Sequence, residues 1–266
     1  MLWTRCFHRR QDARYRLFCF PHAAGAASFF RQWRHPALEI WAVQYPGRED
    51  RLAESMPDQL TQVAANIARA MQAQLDRPYI LLGHSMGACI AFEVARALAR
   101  QRAPSPTGLI VSAHEAPQYA RQGKLHTRPD PELRAELERL NGTRNGVFDQ
   151  PELLHLVLST MRLDYRLIEG YRLQAGPILT CPILACWGDA DPEVCASKMR
   201  EWAIHTSARY SSRSFPGDHF YLTEHREALL HHIATECQSQ PSNTYSCQTV
   251  DAPYYGGRHS RPDSPG

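Results

Sequence analysis

Gly83-His84-Ser85-Met86-Gly87 limits what this chain can fold into more than any other segment, because of what flanks it. Before it, Tyr79-Ile80-Leu81-Leu82 is a short apolar run that reads as a buried parallel strand. After it, Ala88 to Arg100 carries Ile90, Val94, Ala97 and Leu98 at helical spacing. A strand passing through G-x-S-x-G into a helix describes a nucleophile elbow. In such a turn the glycines stand where a side chain would clash, and the serine is lifted out on a strained backbone. The helix N-terminus beneath it favours developing negative charge.

The same alternation runs along most of the chain. Strand-like runs recur at Arg16–Phe20, Ile40–Tyr45, Leu109–Ala113, Ile183–Trp187 and about Arg209–Phe215. Helical patterns cover Pro57–Leu75, Met86–Arg100, Glu193–His205 and Thr223–Glu236. Strands alternating with helices predict right-handed crossovers and a mostly parallel central sheet flanked by helices, an α/β fold. Between about 114 and 180 the alternation gives way to helices, clearest over Pro131–Leu140 and Pro151–Tyr171. Ligands of such sheets gather beyond the carboxyl ends of the strands, so an insert entering there is placed to act as a lid. A purely structural helical excursion is the alternative. The resulting division is an N-terminal extension (1–15), one domain (16–237) and a tail (238–266). The tail's Ser, Pro and Gly content reads as disordered.

Composition narrows the partners. Thirty basic against 27 acidic side chains leave a net charge of +3, too balanced to argue for nucleic acid or a charged membrane surface. Eight cysteines show neither a C-x-x-C pair nor zinc spacing, and Cys19, Cys89, Cys181 and Cys186 lie in or beside apolar runs. That pattern predicts reduced thiols and a reducing compartment. The N-terminus lacks the apolar centre of a signal peptide, and no run reaches membrane-spanning length, so a soluble cytoplasmic protein is expected. A monomer is the working expectation, which no sequence feature decides.

A serine hydroxyl needs a base within reach, and the base needs an orienting carboxylate. On this scaffold the chain order is Ser, acid, His. The base is His219, in the turn Pro216-Gly217-Asp218-His219-Phe220-Tyr221 after the last strand. His84, adjacent to Ser85, points away from it, and His231 and His232 fall on the last helix. The acid comes from Gly188-Asp189-Ala190-Asp191-Pro192. Asp191, restricted by the following proline, is preferred to Asp189, which would then cap the next helix. Glu115, just past Leu109–Ala113, is a third candidate. Oxyanion donors are expected from the Met86 amide and, in the loop Phe20-Pro21-His22-Ala23-Ala24-Gly25, from the Ala23 amide. No cluster offers a metal or cofactor site.

Several segments together resemble the stand-alone type II thioesterases of nonribosomal peptide and polyketide synthesis, members of the α/β-hydrolase superfamily. The likeness runs from about Leu17 to Leu230. Beyond the elbow it rests on Phe20-Pro21-His22-Ala23, Tyr45-Pro46-Gly47-Arg48-Glu49, Arg162-Leu163-Asp164-Tyr165, Gly188 to Pro192 and Gly217-Asp218-His219-Phe220. One departure is Ala24-Gly25 where the family carries two glycines, since alanine disfavours positive φ. The resemblance implies Ser85 as nucleophile, Asp191 as orienting acid and His219 as base. It also implies hydrolysis of short or mis-loaded acyl groups from the phosphopantetheine arm of acyl or peptidyl carrier proteins. A carboxylesterase or lipase, an acyltransferase, and a non-catalytic carrier-binding module are the competing readings.

Overall fold

The computed structural model describes residues 3–119, 123–140 and 149–238. Its strands are β1 (Thr4–Cys6), β2 (Tyr15–Phe20), β3 (Leu38–Val43), β4 (Tyr79–His84), β5 (Gly108–Ser112), β6 (Ile183–Gly188) and β7 (Tyr210–Phe215). They form one seven-stranded sheet in the order β1-β3-β2-β4-β5-β6-β7. Every neighbouring pair is parallel except β1 with β3. The helices are α1 (Leu60–Met71), α2 (Met86–Arg100), α3 (Asp130–Arg139), α4 (Pro151–Gly170), α5 (Ala196–Arg200), α6 (Tyr221–Glu224) and α7 (Arg226–Gln238).

Strand periodicity divides the core into two layers. In β2, Phe18 and Phe20 face the side where α1 and α2 pack, while Leu17 and Cys19 face the side covered by α7 and a short turn at Ala27–Phe30. In β4, Tyr79 and Leu81 likewise oppose Ile80 and Leu82. Both faces are covered, so these strands read as continuous apolar runs. Helix α1 buries Leu60, Val63, Ala64, Ile67, Ala68 and Met71, a single stripe. Helix α2 is buried nearly all round from Met86 to Leu98, as befits the helix at the centre of the sheet. Its Glu93 and Arg96 pair with each other at 2.6 Å.

The insert has a small core of its own, Leu133 and Leu137 of α3 against Leu158 and Met161 of α4. Further along α4, Leu167 joins the main core together with Tyr171 just beyond the helix, so one helix spans both. Prolines at the starts of α3 and α4 are pre-set for a first helical turn. Among the described residues no helix is long and apolar enough to cross a membrane.

Three boundaries differ from the sequence reading. The Glu193–His205 pattern is α-helical only over Ala196–Arg200 and continues as a 3-10 helix to His205. The last helix begins at Arg226, after the separate turn of α6. Residues 1–15, expected to be an extension, supply β1, which pairs antiparallel with β3 through Thr4↔Val43 and Cys6↔Trp41. Neighbouring Trp3 is buried beneath the Arg51 guanidinium, 4.3 Å from its ring, and its carbonyl accepts the Gln44 amide at 2.9 Å. The tail expected to be disordered lies, from residue 239 on, outside the described residues. Because Trp3 is part of the core, Trp3→Ala is expected to cost about 3 kcal/mol in urea unfolding; a loss near zero would make β1 an appendage.

Candidate active site

Ser85 joins β4 to α2 with φ 53° and ψ −123°, a conformation side chains other than glycine's rarely adopt. Its amide donates to Ser112 O at 2.8 Å, which ties the turn to the neighbouring strand. A Cβ on Gly83 would lie 2.1 Å from Gly87 O, and one on Gly87 would lie 2.1 Å from Phe20 O. Neither position accepts a larger residue without moving backbone. The two glycines therefore let α2 start directly against the end of β2.

His84, unlike Ser85, is not among the residues that line the cavity described below. It is buried, shares a 3.0 Å hydrogen bond through Nδ1 with Ser112 Oγ, and Ser112 Oγ in turn meets Tyr221 OH at 2.8 Å. Its ring lies 5.3 Å from His219, 5.2 Å from Phe220 and 5.9 Å from His22. Burial first, and the nearby imidazoles second, push the His84 pKa well below that of an ordinary histidine, so this ring is neutral.

The loops after β6 and β7 touch, since a Cβ on Gly188 would stand 2.1 Å from Asp218 O. That contact brings Asp191 and His219 together. His219 Nδ1 donates to Asp191 Oδ2 at 2.8 Å, and both side chains are almost fully buried. Asp191 Oδ1 accepts the Glu193 amide at 2.8 Å, which holds the carboxylate in one orientation. A carboxylate on Nδ1 fixes the imidazole tautomer and leaves Nε2 with its lone pair. The alternatives are engaged elsewhere. Asp189 does not cap the following helix; it accepts the Gly217 amide at 3.1 Å and so joins the two loops. Glu115 accepts the Cys195 amide at 3.0 Å and the Lys198 ammonium at 3.1 Å.

Ser85, His219, Ala23 and Met86 line one cavity of about 320 Å³. Leu125, Tyr165 and Ile168, all from the insert, also line it. Among the described residues neither the Ala23 nor the Met86 amide has a hydrogen-bond partner, so both donors remain available. The Tyr45–Glu49 and Arg162–Tyr165 segments, which the sequence offered as family marks without a task, converge beside this cavity. Arg48 and Asp164 form a buried bidentate pair at 2.6 and 2.8 Å. Among the described residues no group of three or more His, Cys, Asp or Glu side chains could hold a metal ion.

A parallel sheet with a strained serine after its central strand, and a carboxylate-bound histidine beyond its last, defines an α/β-hydrolase. Residues 15–237 match the thioesterase domain family, and the chain belongs to that family of hydrolases. Among its relatives is the thioesterase PikA5 of Streptomyces venezuelae, 38% identical over 237 residues that cover 88% of this chain and 84% of that one. The type II thioesterase BorB from the borrelidin biosynthetic cluster superposes with a TM-score of 0.82 at 40% identity, covering 89% of this chain and 98% of its own. RedJ, a thioesterase of the prodiginine pathway in Streptomyces coelicolor, gives 0.79 at 36% identity, covering 84% and 86%.

The neutral His84 makes stability depend on pH. Below about pH 6.5 the unfolded chain binds a proton that folded His84 refuses. The contribution is thus complete above that pH and is lost as pH falls, at up to about 1.4 kcal/mol per pH unit. In urea unfolding between pH 7.5 and 5.5, His84→Asn is expected to reduce the stability lost across that window by about 1.4 kcal/mol in all; an unchanged loss would mean that His84 titrates normally.

Proposed function

We propose that this chain is an editing thioesterase that removes short or mis-loaded acyl groups from the phosphopantetheine arm of acyl or peptidyl carrier proteins in nonribosomal peptide or polyketide synthesis. The observation that carries the reading is the Asp191–His219 hydrogen bond at 2.8 Å beside a cavity that Ser85 lines. Ser85 Oγ attacks the thioester carbonyl carbon while His219 Nε2 takes its proton. The Ala23 and Met86 amides hold the resulting oxyanion. The C–S bond breaks, and the proton on His219 passes to the departing pantetheine sulfur. A water molecule, deprotonated by His219, then attacks the acyl-enzyme; the tetrahedral adduct collapses to release the acid, and the proton returns to Ser85.

Size supports the short-acyl preference: ligand pockets run from roughly 300 to 1,000 Å³, and this one lies at the lower end. An ester hydrolase or an acyltransferase would use the same three side chains, but the family match and the relatives from biosynthetic clusters favour thioester hydrolysis. The reaction needs nothing from a second chain, so a monomer suffices. Seven described cysteines are free and five of them buried, which supports work in a reducing compartment such as the cytoplasm.

Ser85→Ala is expected to abolish hydrolysis of an acyl-loaded carrier protein, followed by intact-protein mass spectrometry, while leaving the circular dichroism spectrum unchanged. Turnover retained by that variant would remove Ser85 from the mechanism. Asp191→Asn is expected to lower kcat by on the order of 10⁴-fold, because the amide presents the wrong partner to His219 Nδ1. Asp189→Asn keeps an acceptor for the Gly217 amide and should change the rate little. The opposite order of effects in steady-state kinetics would reverse the two assignments.

A further inference from the structure

The turn His22–Gly25 is closed by the Gly25 amide donating to His22 O at 3.0 Å. Its third residue, Ala24, has φ 61°, a position that ordinarily calls for glycine. Something must therefore hold an alanine there, and the surrounding bonds show what. The Ala24 amide donates to Asp164 Oδ2 at 2.8 Å, across 140 positions of sequence. Arg48 Nη1 donates to the same oxygen at 2.8 Å and to Gly25 O at 2.8 Å, while its Nη2 donates to Asp164 Oδ1 at 2.6 Å. Asp164 is fully buried and Arg48 nearly so. On the other side of the loop, Tyr45 OH donates to Pro21 O at 3.2 Å, and the Arg48 guanidinium lies 5.2 Å from the Tyr45 ring.

We propose that Arg48 and Asp164 are positioning residues for the oxyanion hole: Asp164 holds the Ala23–Ala24 peptide unit by its N–H and Arg48 holds the Gly25–Ala26 unit by its C=O, which pins the turn on both sides of the Ala24–Gly25 peptide and leaves the preceding Ala23 amide set toward the cavity. Asp164 belongs to α4, where the helix passes from the insert's own core to the main one. The insert thereby supports the reacting centre directly as well as lining the cavity. This inference rests on the acyl-transfer reading of Ser85 and His219. The acid at this position has to present both oxygens to serve the arginine and the amide together, and the arginine has to reach two acceptors at once. A lysine, with one compact charge, does not reproduce that fork.

The test compares full-length wild type with Asp164→Asn and Arg48→Lys, each with and without Ala24→Gly. The substrate is a short-chain acyl-pantetheine thioester. The inhibitor is the matching trifluoromethyl ketone, whose adduct with a serine bears the same oxyanion. Losing alignment of one oxyanion donor is expected to lower kcat by on the order of 100-fold. KM should stay within about threefold, since the ground state does not use the hole. Affinity for the ketone should fall in step with kcat. Ala24→Gly should restore at least about tenfold of the lost kcat, because glycine accepts the positive φ without being held.

Near-ultraviolet circular dichroism separates these effects from unfolding. Half of a buried pair left alone can unfold a protein, so the double variant Arg48→Met/Asp164→Leu, which leaves no orphaned charge, receives the same measurements. If the single variants do not fold, the double variant decides on the same criteria. Folded variants with wild-type kcat and ketone affinity would overturn the inference, as would a loss confined to KM. Ser85→Ala distinguishes the two levels: if it is inactive while the Arg48 and Asp164 variants are fully active, only the positioning role fails.

Discussion

The rest of the site depends on one close approach of backbones, that of Gly87 at the start of α2 to Phe20 O at the end of β2. Any side chain at Gly87 would force these two segments apart. Their contact sets the separation between the helix that carries Ser85 and Met86 and the loop that carries Ala23. The turn at Ser85 has to fit within that contact, which is why the serine adopts φ 53° and its amide turns to Ser112 of the next strand. A parallel sheet built from apolar strands supplies the rigidity that such a strained turn requires.

Around that contact the molecule distributes buried polar groups in two different ways. Behind the serine, His84, Ser112 and Tyr221 form a neutral hydrogen-bonded chain packed against His219. A neutral ring adds no charge beside the His219 imidazole. Beyond the His22–Gly25 turn, by contrast, the buried groups are charged. A buried Arg–Asp pair is a weak source of net stability, because desolvation cancels much of the attraction. What the Arg48–Asp164 pair supplies is direction: each partner also bonds the backbone of the loop, and that geometry is hard to obtain from apolar packing.

Much of the fold was legible before any coordinates. The apolar runs at β2 through β7 and the i, i+3, i+4 spacing in α1, α2 and α4 mark the elements to within a few residues, because burial on both sheet faces leaves a local record in the sequence. What failed to register was short or irregular. The strand β1 has only three residues, Thr4–Cys6, with no alternation to detect, and it is stabilised by pairing with β3 and by Trp3 beneath Arg51. The loop after β6 offered two carboxylates, and the proline after Asp191 gave a reason to prefer it. The sequence could not show that Asp189 would bond the Gly217 amide instead of capping a helix. Arg48 and Asp164 were visible as family marks, yet their meeting was not.

By itself, then, the sequence determined the alternation of strands and helices, the strained turn at Ser85, and the residues able to supply a nucleophile, a base and an acid. Those are matters of periodicity, turn stereochemistry and side-chain chemistry, all written within short windows. Only the tertiary structure decided which carboxylate meets His219, where Asp189 and Glu115 are engaged, and how Ala24 is held at positive φ. Such contacts join positions up to 140 apart. They exist only where the packed sheet brings its loop ends together, so no local pattern records them.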